Sequence, residues 1–115
     1  MKNKAENVVV LSSVEQYRSA LETNAVDLSA HVGLGWALHH AGESVEAIDV
    51  LQKARKRFPD DIELLYALGL MLKQTSRNKE ASAVFKDLLK IKESSTSAAK
   101  ASMFRHLAGA HLEIL

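Results

Sequence analysis

Leu34-Gly35-Trp36-Ala37-Leu38 decides the fold, because this stretch returns in similar form as Leu68-Gly69-Leu70-Met71-Leu72, 34 residues later. The same shift superimposes Ala47 on Ala81. A period of this length is typical of a repeated pair of helices. Small residues such as these glycines and alanines let two helix backbones approach closely, while the large apolar residues around them fill the space between the helices. The sequence therefore predicts a repeated helical hairpin.

Turn and cap residues predict where the helices begin and end. Gly42 is expected to end one helix in a left-handed conformation, and Ser44 to cap the next. Pro59 blocks continuation of that second helix, and Asp60 and Asp61 place acidic groups at the start of the following one. Six helices are expected, over residues 12–24, 28–41, 44–57, 61–75, 78–92 and 98–113. A Ser/Thr-rich loop separates the last two, and its Thr96 or Ser97 is expected to cap the final helix.

Composition favours an all-α protein and excludes several kinds of site. The 115 residues contain no Cys, which rules out cysteine nucleophiles and cysteine-based zinc sites. Three Phe, two Tyr and one Trp are few beside abundant Ala and Leu, and this balance disfavours sheet. Lys and Arg number 15 against 14 Asp and Glu, so the excess of positive charge that nucleic-acid binding requires is missing. No apolar run of the sequence approaches the length needed to span a membrane, and we expect a cytoplasmic protein.

The spacing of large and small residues resembles the tetratricopeptide repeat (TPR) pattern. One unit matches it through Leu34-Gly35, Leu38, Ala47, Leu51, Ala54 and Pro59. The next unit matches through Leu65, Leu68-Gly69, Leu72, Ala81, Phe85 and Leu88, with Glu93 where the pattern has Pro. The resemblance implies a right-handed α-solenoid of antiparallel helix pairs. After an N-terminal extension over 1–11, one domain would hold a partial unit over 12–27, repeats over 28–61 and 62–95, and a partial unit or capping helix over 96–115.

The resemblance also implies a function, namely a non-enzymatic adaptor or scaffold that binds a protein segment. In TPR proteins the first helix of each unit lines a concave groove that holds a peptide or a helix. Carried over to this chain, the partner-binding positions are Val32, Trp36, His39, His40, Tyr66, Leu70, Lys73, Arg105 and His106. Trp36 and Tyr66 are the strongest candidates, because aromatic anchors carry much of the energy of interfaces. The alternative is that each ring packs against neighbouring helices.

The sequence shows whether one class of partner, an acidic chaperone tail, would find its usual binding residues in this chain. TPR co-chaperones that grip an acidic chaperone tail use a clamp of Lys, Asn and Arg side chains. The corresponding positions here hold Val32, Trp36, Ala67, Ser102 and His106, so the carboxylate clamp is absent. We therefore expect an apolar or amphipathic partner segment, such as a helix laid in the groove.

Catalytic and metal motifs are missing from the sequence. It contains no Gly-rich phosphate loop, nucleophile elbow or His-Glu-x-x-His pattern. The adjacent His39 and His40 point about 100° apart on a helix, and His106 and His111 are not three or four residues apart, so neither pair suits a metal alone. We expect no enzyme activity, no metal and no cofactor. A metal site built between helices from His39, His40 and His106 stays open as an alternative.

The last helix offers a second interaction surface. Repeat arrays leave the apolar face of a terminal helix uncovered unless a further element caps it. The residues expected on this face are Phe104, Leu107, His111 and Ile114. Either the helix itself caps the preceding hairpin, or the face meets another protein or a second copy of the chain. We favour self-association to a homo-oligomer as the alternative function, while His111 also falls on a packing position of the repeat pattern.

Overall fold

The computed structural model describes residues 4–92 and 97–115, and within them the chain forms six α-helices and no strand. The helices are α1 (Lys4–Thr23), α2 (Leu28–His40), α3 (Ser44–Arg57), α4 (Ile62–Gln74), α5 (Asn78–Lys90) and α6 (Ala98–Ile114). The predicted all-α fold is confirmed, and α2 to α6 begin and end within two residues of the predicted bounds. The first helix begins at Lys4 rather than at residue 12. Most of the predicted Ser/Thr loop, residues 93–96, lies outside the described residues.

The chain divides into two compact units, the first ending at Ala54 and the second beginning at Arg55. In the first unit α1 packs against α2. Close approach between α2 and α3 depends on Gly35, because a Cβ there would lie 2.7 Å from Cδ2 of Leu51. Gly33 of α2 likewise faces the ring of Tyr17 on α1. Glycines on α2 thus allow large side chains of both neighbouring helices to pack against its backbone.

In the second unit α4 and α5 form a hairpin, and α6 packs against both of them. A Cβ on Gly69 would lie 2.5 Å from Cε1 of Phe85, so this glycine makes room for the phenyl ring. Ala101 and Ala108 are the buried residues of α6. The largest fully buried side chains of the hairpin are all apolar: Ile62, Leu64, Leu65, Leu68, Met71, Leu72, Phe85 and Leu88.

The helix ends follow the predicted capping in most places. Gly42 has a φ of +85°, the left-handed conformation that ends α2. Asp61 caps α4 by accepting a 2.8 Å hydrogen bond from the backbone N–H of Leu64. Ser97 accepts a hydrogen bond from the N–H of Lys100 and caps α6. Ser44 differs, because it is the first residue of α3 and its hydroxyl lies 3.0 Å from Nδ1 of His39.

None of the helices in the described ranges combines the length and hydropathy needed to cross a membrane.

Candidate functional site

Three of the predicted partner-binding residues form a cluster of rings on α2. Trp36, His39 and His40 stand at the three- and four-residue spacings that bring helical side chains together. The His40 imidazole stacks on the Trp36 indole, with ring centroids 6.1 Å apart and planes inclined by 24°. The His39 ring meets the indole edge-on, at 6.3 Å and 73°. The cluster therefore presents one large apolar ring beside two imidazoles.

All three residues of this cluster keep surface that is accessible to solvent. Trp36 and His39 are half-buried and His40 is exposed. The other predicted residue of this helix, Val32, is buried and offers little surface to a partner. The thirteen residues of α2 include no Asp, Glu, Lys or Arg. Because the helix lacks these four charged residue types, the Trp36 indole is well placed to contact an apolar surface.

Tyr66 lies in a second cluster, where α4 meets α5 and α6. Its ring lies 5.0 Å from that of Phe104, 5.9 Å from that of His111 and 6.1 Å from that of Phe85, centroid to centroid. The His111 imidazole stacks on Phe85 with planes only 8° apart. These contacts hold α6 against the α4–α5 hairpin. Tyr66 thus has a structural role, and only part of its ring is left for a partner.

Two predicted partner-binding residues in the second unit are engaged in contacts that support α6. The ammonium of Lys73 lies 2.7 Å from Nδ1 of His111. The guanidinium of Arg105 donates a 2.6 Å hydrogen bond to the carbonyl of Ile91, which caps the C-terminus of α5. Leu70 is half-buried and His106 is exposed.

Burial shifts the pKa values of two residues in the second cluster, Tyr66 and His111. It raises the pKa of the Tyr66 phenol, because the charged form loses solvation. It also lowers the pKa of His111, and the neighbouring charge of Lys73 lowers this pKa further. Both shifts favour the neutral side chains, as expected of residues that pack a helix interface.

The predicted self-association face is divided by the structure. Phe104 and His111 turn toward Tyr66, whereas Leu107 is 36% exposed and Ile114 is 73% exposed. Met103, which the sequence analysis did not single out, is 49% exposed. Its spacing could have revealed it, because Met103 lies four residues before Leu107 and eleven before Ile114, on the same helix face.

The described residues also bear on metal binding and on nucleic-acid binding. Among the side chains that the structure describes, those of residues 13–92 and 97–115, no group of three or more His, Asp or Glu is arranged to hold a metal ion. Near the end of α3, Lys53 pairs with Asp49 at 2.9 Å and Arg55 pairs with Asp87 at 2.8 Å. These pairs and the position of the basic residues at a helix C-terminus account for this part of the charge pattern.

Comparison with known proteins identifies the repeat. A family model described as Tetratricopeptide repeat matches residues 12–62 and again residues 46–99. A search of curated proteins found no match. The two matched ranges together span more than half of the 115 residues and contain α2 to α5 entire. The chain therefore belongs to the tetratricopeptide repeat family, whose members generally mediate protein–protein interaction.

Proposed function

We infer that this chain is a protein-binding module and that an apolar or amphipathic segment of its partner docks on α2 at Trp36. The family supports the general role, because TPR proteins commonly bind other proteins and are generally non-enzymatic. The groove, the adaptor role and the cytoplasmic location expected from the sequence stay predictions.

The observation that carries this proposal is the half-buried indole of Trp36, which keeps part of its surface accessible to solvent. An indole contributes a large contact area at low entropic cost, which makes Trp one of the residues most enriched in binding hot spots. His40 stacks on it and His39 meets its edge, so the ring is held in one orientation before a partner arrives. A preorganised anchor loses less side-chain freedom on binding and so raises affinity.

The chemistry around Trp36 also limits the kind of partner. Because α2 carries no Asp, Glu, Lys or Arg, it provides no ion pair of its own to a charged ligand. The two imidazoles can exchange hydrogen bonds with backbone or side-chain groups at the rim. A helix with apolar residues at positions i, i+3, i+4 and i+7 meets these conditions.

In the second unit the proposal rests on fewer residues. Lys73 and Tyr66 contact His111, and Arg105 caps α5, so these three side chains already stabilise the packing of α6. Leu70 and His106 are the predicted positions whose exposed surface we assign to partner contact there. Substitution of the first three residues would alter stability and binding together, whereas Trp36 provides a cleaner test.

The experiment is selection from a random-peptide library displayed on phage, with the purified full chain as the target. Selected peptides are synthesised and their affinity is measured by calorimetry for the wild type, Trp36→Ala and Val45→Ala. Val45 is the matched control, because it is 80% exposed on α3 of the same unit. Loss of a hot-spot aromatic weakens binding by about 2 kcal/mol or more, close to thirtyfold.

We expect Trp36→Ala to weaken binding at least tenfold and Val45→Ala to leave it unchanged. We also expect the selected peptides to carry apolar residues at helical spacing. Circular dichroism confirms that both variants keep their helices. Equal affinity of the wild type and Trp36→Ala for every selected peptide would contradict the assignment of this surface.

A further inference from the structure

A stripe of apolar side chains runs along the outer face of α6. It consists of Met103, Leu107, Ala110 and Ile114, all of which are exposed. At about 100° per residue, these four positions fall within an arc of about 60°. They extend over about 16 Å of the helix. We call this surface the outer stripe.

The outer stripe is separate from the face that attaches α6 to its own unit. Ala101 and Ala108 are buried, and Phe104 and His111 contact Tyr66, so these four side chains define the docked face. The centre of the docked face lies about 110° around the helix from the centre of the outer stripe. The packing of α6 against α4 and α5 therefore leaves the stripe uncovered.

Polar residues along one edge of the outer stripe indicate what covers it. His106 and Glu113 are both exposed and are seven residues apart, so they lie on the same edge of the stripe. In a parallel pair of α6 helices, the edge with His106 and Glu113 would face the opposite edge of the second copy, where Phe104 and His111 pack against Tyr66, so Glu113 would not meet His106. In an antiparallel pair, Glu113 of each copy faces His106 of the other, and the imidazole N–H can donate to the carboxylate.

We propose that the outer stripe binds a second copy of this chain, with the two α6 helices antiparallel about a two-fold axis. An axis between Ala108 and Gly109 places Met103 of one copy opposite Ile114 of the other. It also places Leu107 opposite Ala110, so that a large side chain meets a small one, as close helix packing requires. The same arrangement brings Glu113 within one turn of His106 twice, once on each side of the axis.

The size of the stripe sets the strength of this dimer. The helix has 17 residues, so it is about 25 Å long, and one pair of such helices buries less than the ~1,200 Å² of a standard stable interface. The dimer is therefore weak and forms reversibly as the protein concentration rises. It shares His106 with the partner-binding positions but does not involve Trp36, so Trp36→Ala and Leu107→Lys test the two proposals separately.

Sedimentation equilibrium of the full chain over a concentration series tests the proposal. The wild type should show a monomer–dimer equilibrium, and Leu107→Lys should weaken it at least tenfold. Val45→Lys is the matched control, because it places the same charge at an exposed apolar residue of the other unit. Circular dichroism checks that each variant is folded, and Ile114→Lys serves if Leu107→Lys is not.

Exchange of the two polar residues tests the antiparallel geometry. His106→Glu should weaken the dimer, because each new carboxylate faces Glu113 of the second copy. The double variant His106→Glu, Glu113→His restores the pairing with its members exchanged, and should recover most of the wild-type association. A wild type that stays monomeric at the highest concentration overturns the proposal, as does association that Leu107→Lys or Ile114→Lys leaves unchanged. Failure of the double variant to recover association overturns the antiparallel arrangement.

Discussion

The Nζ atom of Lys73 lies 2.7 Å from Nδ1 of His111, and this contact determines which imidazole nitrogen carries the proton. An ammonium group can only donate a hydrogen bond, so Nδ1 must accept, and the proton of the neutral ring is on Nε2. Nε2 lies 3.2 Å from the Tyr66 hydroxyl and donates to its oxygen. A chain of two hydrogen bonds thus joins α6 to α4, and it requires a neutral His111.

The neutral state of His111 makes the second unit sensitive to acid. Burial first, and Lys73 second, lower the pKa of His111 below its ordinary value of 6.5. The unfolded chain therefore binds a proton at a higher pH than the folded chain does. The stabilisation from His111 is complete above about pH 6.5 and is lost as the pH falls through the lower folded-state pKa.

Urea unfolding of the wild type and His111→Gln across this pH range measures the effect. The stability advantage of the wild type should shrink as the pH falls from about 7.5 to 5, because Gln does not titrate. His31→Gln is the control, because it removes a histidine from the first unit and keeps His111. The stability of this variant should still fall with pH as that of the wild type does. Parallel pH profiles for the wild type and His111→Gln would contradict the hydrogen-bonded chain.

Gly69 and Gly109 provide a matched pair of substitutions in the second unit. A Cβ at Gly69 would lie 2.5 Å from the ring of the fully buried Phe85, whereas a Cβ at Gly109 would have no heavy atom within 4 Å. Gly69→Ala should therefore lower the free energy of unfolding by about 1–3 kcal/mol. Gly109→Ala should be neutral or raise it by up to about 1 kcal/mol, since Ala favours helix.

Thermal or urea unfolding of the two glycine variants gives the comparison directly. Equal stabilities would mean that α4 and α5 do not approach closely at Gly69. Destabilisation by Gly109→Ala would mean that its side of α6 is covered.

Asp61 stabilises the start of α4. The residue is only 7% exposed, and its carboxylate accepts the hydrogen bond that caps α4. Asp61→Ala should lower the free energy of unfolding by about 1 kcal/mol, since it leaves the N–H of Leu64 without its side-chain acceptor. Asp61→Asn keeps an acceptor oxygen and should recover most of the loss. If Asn were as destabilising as Ala, the charge rather than the cap would be the important term.

The fold could be predicted because its determinants are local or periodic. Gly42, Pro59 and Asp61 mark helix ends through backbone chemistry that does not depend on the rest of the chain. The pairs Gly35 with Leu51 and Gly69 with Phe85 repeat at 34 residues, so each contact supports the prediction of the other. The early start of α1 was missed, because no match to the repeat pattern lies before residue 12.

The site was harder to predict. The periodicity of a helix predicts the face on which a side chain lies, but not which residues of other helices it contacts. Both aromatic residues were predicted to bind a partner, although the 34-residue repeat aligns Trp36 with Leu70 and Tyr66 with Val32. Tyr66 nevertheless packs with Phe104 and His111, which only α6 supplies, while Trp36 is flanked by histidines of its own helix. The contact of Lys73 with His111, across 38 residues, had no local signal in the sequence.

Fluorescence of Trp36 tests the central claim most directly, because it is the single Trp of the chain. A library-selected peptide is added to saturation, which calorimetry verifies, while the emission maximum and acrylamide quenching are recorded. If the partner segment docks on the Trp36 cluster, the emission should shift to shorter wavelength and quenching should fall as the indole leaves water. Saturating binding with unchanged emission and unchanged quenching would show that the partner-binding surface lies elsewhere.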